Sequence, residues 1–248
     1  MSARNALTKM ALSELVRSRS YRVAFAVIAL FLVGILHFIG VRLLLNPLVE
    51  RETLDRGLLL AAASGLVYCT VLICAGLFLN ISSTQPLVRA KASGSIESLL
   101  AAPVDARDLW RALSISSILP GIVAGWAGGL VSAIVYELLY LAPRGMTLAS
   151  PWIILNSFIL LPAMYAAIAF LVHAIGLQGR ATSGAVIAQI FFPVYTSLVM
   201  NLGGRDILAV PRADLAAAQL GLSLIAVGAI ALSRRGLTKE RIVLSCRQ

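Results

Sequence analysis

Four polar side chains interrupt long apolar runs: His37, Asn156, His173 and Gln189. An imidazole or amide in that setting either hydrogen-bonds to a neighbouring helix or lines a polar path. For His37 and His173 the simpler reading is a helix–helix hydrogen bond. No Asp, Glu, Lys or Arg stands in the middle of such a run, and Glu137 comes nearest, beside Tyr136 and Tyr140. Chemistry that moves protons or ions through a buried carboxylate is therefore disfavoured. The patterns of a serine nucleophile (G-x-S-x-G), a zinc protease (H-E-x-x-H) and a Walker A phosphate loop (G-x-x-x-x-G-K-[ST]) do not occur. Three cysteines (Cys69, Cys74, Cys246) form no C-x-x-C, and with two histidines they leave no metal site. The sequence reads as a chain that is not an enzyme and carries no cofactor of its own.

The elements that must position these residues follow from composition. The 248 residues are 59% hydrophobic and 13% charged, with mean hydropathy +0.90. Soluble domains average about 45–50% apolar and about 25% charged, so this surplus points to a chain dissolved in a bilayer. About 20 apolar helical residues cross the hydrocarbon. Six stretches meet or approach that length: Val23–Val41, Leu58–Leu79, Leu113–Leu139, Trp152–Ile175, Gly184–Met200 and Leu215–Leu232. The first is too long for a cleaved signal and reads as a retained anchor. The expected fold is an all-α polytopic membrane protein, one transmembrane domain over residues 1–248. With the N-terminus inside, 15 of the 21 Lys and Arg fall on the inner side, and five inner acids leave +10 there. The six outer acids cancel the six outer bases, so the whole net charge lies on one side. That is the bias of retained cytoplasmic loops, and it removes any need for nucleic acid. Tyr21, Trp110, Tyr136, Tyr140 and Trp152 fall at span ends, as an interfacial aromatic belt would.

Three segments lie outside the spans. Residues 1–21 place Leu7, Met10, Ala11 and Leu15 on one stripe, with Lys9, Arg17 and Arg19 off it, which suits a basic helix lying on the inner leaflet. Residues 80–112 form the longest inner connection, and residues 233–248 a basic tail. Within 80–112, Gly94 opens a short helix with Glu97 in its first turn, and Ile96, Leu99 and Leu100 form an apolar stripe that Pro103 ends. Asp105 then caps a second helix with Asp108 in its first turn, while Val104 and Leu109 are spaced as a hydrophobic staple. The exposed stripe needs a cover, supplied either by the chain's own inner helices or by a docked partner. In the third span Gly121, Gly125 and Gly129 recur every four residues and form a smooth helix-packing face, within the chain or toward a second copy.

The run Gly94-Ser95-Ile96-Glu97-Ser98-Leu99-Leu100-Ala101-Ala102-Pro103-Val104 resembles the cytoplasmic loop of ABC-2 type permeases, the membrane subunits of ABC exporters. The layout is similar too: amphipathic N-terminal helix, six spans, short basic tail. The resemblance implies that Gly94–Pro103 is a coupling helix seated in a separate ATPase subunit, which would hold the ATP and Mg. It makes Gly94 the turn, Ile96, Leu99 and Leu100 the apolar contact, and Glu97 a polar contact, with Pro103 closing the segment. It further implies outward export of an unidentified substrate, a second permease copy or paralogue, and a bacterial cytoplasmic (inner) membrane with both termini cytoplasmic. His37, Asn156, Gln189 and Tyr195 would be the candidates to line the path. A re-entrant break near Pro193, within 184–214, is compatible with the family layout. The alternative is a stand-alone carrier or channel for a small solute.

Overall fold

The computed structural model describes Ser13 and residues 19–50, 55–101, 104–204, 210 and 212–246. The expected interfacial helix over 1–21, apart from Ser13 and residues 19–21, and Pro103 lie outside the described residues. Among those described, every regular element is a helix. Helix α1, Arg19–Gly40, continues through the π-helical turn Val41–Leu45 into Asn46–Val49. It is followed by α2 (Arg56–Ala92), α3 (Ser95–Ala101) and α4 (Ala106–Tyr136, prolonged by Glu137–Leu141 and Ala142–Arg144). Next come α5 (Pro151–Gln178), α6 (Ala181–Gly204), α7 (Ala213–Ser233) and α8 (Lys239–Cys246). Six of these are long and apolar enough to cross a membrane, so the chain is an all-α polytopic membrane protein.

Local signals set the boundaries. The Asp55 carboxylate accepts from Gly57 N and Leu58 N at 2.9 and 3.1 Å and starts α2. Asp105 accepts from Arg107 N at 3.2 Å and starts α4, as its sequence position predicts, while Val104 and Leu109 pack into one apolar cluster. Gly94 turns the chain from α2 into α3 at φ +71°, a left-handed conformation that costs glycine nothing. Two expected boundaries move. Residues 80–92 are not loop but the last turns of α2, drawn out because Leu87 and Lys91 pack into the tertiary structure. Within the described residues the fifth span is one helix, Ala181–Gly204, unbroken at Pro193.

The core is built on α2, against which α4, α5 and α6 pack. The glycine face of α4 is spent here: a β-carbon at Gly121 would overlap Leu79, one at Gly125 would crowd Ala75, and one at Gly129 would overlap Val71. That face therefore joins α4 to α2 inside the chain and is not free for a second copy. Gly184 brings α6 equally close to Gly176 of α5. Helix α1 lies at the periphery, touching the bundle through Phe25 on Phe78, Gly40 on Leu66 and His37 on Tyr136. The aromatic belt survives only in part. Trp152 is exposed and Tyr140 half-buried, but Tyr136 is fully buried and Trp110 nearly so. The indole N–H of Trp110 is satisfied at 3.1 Å by the Phe170 carbonyl inside the bundle, so nothing draws it to an interface.

Candidate functional site: a buried hydroxyl–amide cluster and a short helix at the basic end

Four spans contribute polar groups to one buried cluster. Tyr68 of α2 and Tyr195 of α6 share a hydrogen bond of 3.0 Å between their hydroxyls. The Gln219 amide of α7 donates to the Tyr68 hydroxyl at 2.7 Å and lies 3.4 Å from the Asn156 carbonyl of α5. Asn156 sits in the π-helical turn Leu155–Leu160 and donates to the Val210 and Arg212 carbonyls at 2.7 and 3.1 Å. Such turns inside helices recur at functional positions. Tyr165 of α5 donates to the Leu72 carbonyl at 3.3 Å, with its ring edge-on to Phe192 and Tyr195. Among the described residues the side-chain oxygens of Asn156 and Gln219 are buried without a partner. Inside a bilayer an unpaired carbonyl oxygen is costly, so this cluster favours contact with a hydrogen-bond donor.

Beside the cluster, α2 and α6 part to leave a cleft of about 470 Å³. Asn80, Thr196, Ser197 and Asn201 give it a polar side among Leu72, Ile73, Phe192 and Met200. Gly76 forms part of its wall, and a β-carbon there would lie 3.0 Å from the Tyr165 hydroxyl. The cleft therefore borders the buried cluster directly.

Of the four path candidates, Asn156 and Tyr195 belong to this cluster and the other two do not. The Nδ1–H of His37 donates to the Val33 carbonyl of its own helix at 2.8 Å, and its ring stacks on Tyr136 at 5.0 Å. Gln189 lies on an exposed face of α6 with Val186, Ile190 and Val194. His173 meets Ser117 of α4 at 3.3 Å, a helix–helix contact of the kind expected. Glu137 is a clasp for the far-end loop, accepting from Leu148 N at 2.7 Å. Sequence reasoning passed over Tyr68, Tyr165 and Gln219. A tyrosine or glutamine in an apolar run carries no signal of the direction it faces.

The second candidate lies at the end of the bundle where the cations gather. Helix α3 turns Ile96 (1% exposed) and Leu100 (6%) inward onto Leu87, Trp110, Leu177 and Ile242. These two were expected to meet a partner subunit. Instead they anchor the helix to its own chain, because Trp110 and the tail helix α8 offer a closer apolar surface. Leu99 is half-buried on the same cluster, and Ser95, Ser98 and Ala101 face outward with Glu97 partly exposed. The tail completes the platform. Lys239 donates to the Leu100 carbonyl at 3.3 Å, at the C-terminal end of α3. Lys91, only 7% exposed, donates to the Leu177 and Gly179 carbonyls at 3.2 and 2.6 Å and to the Ser245 hydroxyl at 2.7 Å. Burial pushes the Cys246 thiol up more than nearby Lys91 pulls it down, which disfavours its thiolate.

No family model matches the chain, and no curated protein or solved structure matches it. Among the described residues no group of three His, Cys, Asp or Glu is placed to hold a metal ion.

Proposed function

We propose that this chain is the permease subunit of an ATP-driven ABC-2 type exporter, moving its substrate outward with energy from a separate ATPase. The observation that carries this reading is the placement of α3. A short helix between the second and third spans is fixed to the bundle by Ile96 and Leu100, and among the described residues nothing covers its exposed Ser95, Ser98 and Ala101 edge. A helix fixed on one side and open on the other can pass an outside push to the spans. On this reading the partner touches Ser95, Glu97, Ser98 and Ala101, with Gly94 and Leu99 at the margin, and the basic end is cytoplasmic.

Gln189 supports a second permease copy. An amide on an otherwise apolar face of α6 has no partner in lipid and gains one from a neighbouring helix. The cleft between α2 and α6, with the Tyr68–Tyr195–Gln219 cluster behind it, is the best candidate for a substrate path. Purification of the chain from its native membrane in mild detergent should bring ATP hydrolysis with it, while the chain alone in liposomes moves no solute. Solute transport by the chain alone would instead favour the stand-alone carrier.

A further inference from the structure

The basic end carries four arginines that the platform does not use. Arg180 follows the last turn of α5, and Arg234 and Arg235 close α7. These two helix ends are joined, since the Gln178 amide donates to the Ser233 carbonyl at 2.9 Å. Arg241 reaches the same place from α8. A β-carbon on Gly236 would lie 2.8 Å from its guanidinium nitrogen and 2.6 Å from the Gln178 side-chain oxygen. All four arginines are exposed, and none has an ion-pair partner among the described residues. Glu240 is the one acid of residues 178–181 and 233–241, and it too is exposed. Four exposed guanidinium groups on the adjoining ends of α5, α7 and α8 make a cationic surface that an anion from outside the chain would complement.

The neighbouring surface specifies which anion. Leu224, Ile225 and Leu232 of α7 are about 70% exposed. Positions 224, 228 and 232 form one helical row, and Arg235 comes within the same face three residues later. An apolar wall on α7 thus leads to the arginines at the end of the span. A guanidinium pairs with phosphate through two parallel hydrogen bonds, which an ammonium cannot reproduce.

We propose that Arg180, Arg234, Arg235 and Arg241 bind the headgroup of an anionic phospholipid whose acyl chains lie along Leu224, Ile225 and Leu232. The bound lipid neutralises the junction of α5, α7 and α8 and so helps hold the tail helix in place. This requires only that the chain spans a bilayer, and it stands or falls apart from the exporter reading.

The test uses the full chain in nanodiscs of mixed phosphatidylglycerol and phosphatidylcholine, with native mass spectrometry counting the lipids retained. The wild type should retain phosphatidylglycerol selectively. Each cation near a headgroup is worth about fivefold in binding, so R180Q/R234Q/R235Q should lose on the order of a hundredfold. R234K/R235K should keep part of the preference, which separates loss of charge from loss of fold. R107Q, at the start of α4 away from this junction, should leave the preference unchanged. Equal retention of both lipids by the wild type, or undiminished preference in the triple variant, would overturn the proposal. So would disulfide crosslinking between copies through Arg235→Cys, because a second chain would then cover the face.

Discussion

Replacing Lys91 with methionine should free the C-terminal helix α8 and loosen α3, leaving the spans in place. Lys91 stands on the last turn of α2. That helix, at 37 residues, is about 55 Å long and outruns the hydrocarbon by several turns. Among the described residues the ammonium has no carboxylate beside it; its partners are two carbonyls at the end of α5 and the Ser245 hydroxyl. The end of a helix carries partial negative charge, so α5 itself acts as the counter-ion. Methionine keeps the length of the stem and donates nothing. The Leu177 carbonyl still receives the Ser245 hydroxyl at 2.9 Å, but the Gly179 carbonyl loses its bond to the ammonium. Removing a charged donor from such a site costs on the order of 3 kcal/mol. Local opening should then become about a hundredfold more frequent. Amide hydrogen exchange across Lys239–Cys246 and Ser95–Ala101 should quicken by that factor, because Ile242 and Lys239 reach from one helix to the other. The centres of α2 and α4 should keep their protection. Unchanged exchange in both short helices would show that the lysine holds nothing together.

If an ATPase docks on α3 as proposed, arginine at Ser98 should strip it from the purified chain while the chain itself stays folded. Ser98 is exposed on α3, and among the described residues its hydroxyl bonds to the Gly94 carbonyl at 3.3 Å within the helix. A change at such a position moves stability by about 0.5 kcal/mol or less. A long charged side chain on the open edge of a helix seven residues long leaves a docking groove no room to close. The expected readout is loss of at least about tenfold in co-purifying ATP hydrolysis, the scale set by a single disrupted interface anchor. Melting of the chain itself should be unchanged. A charge at Ile96 or Leu100 is a poor probe by comparison. Those side chains lie under Trp110 and Ile242, so the platform would break before the partner was consulted.

What could be read in advance follows from which signals are local. Runs of about 20 apolar residues demand helices wherever the backbone meets lipid, so all six spans were legible. So were the Asp55–Asp105 class of end signals in the case of Asp105, and the turn at Gly94, because a cap and a positive φ each depend on a residue or two. Direction was not legible. The stripe of Ile96, Leu99 and Leu100 needed a cover, but its spacing does not say whether that cover is Trp110 and Ile242 or another chain. The same holds for Gly121, Gly125 and Gly129, whose small-residue face turned out to seat α2. Lys91 looked like one more loop cation because the length of α2 past Leu79 depends on packing with a tail 150 residues away. Tyr68, Tyr195 and Gln219 meet across 127 and 151 residues of sequence, and no local pattern joins them.

The open edge of α3 is the most direct place to test the central claim. With Cys69, Cys74 and Cys246 replaced by alanine, Ser98→Cys can be titrated with a charged maleimide in native membranes opened to both sides. The same titration is then repeated after a urea wash that removes peripheral subunits. Labelling should be slow before the wash and fast after it, with ATP hydrolysis appearing in the wash. Equal rates before and after, with no hydrolysis released, would mean that nothing sits on α3 and that this chain is not driven by an ATPase.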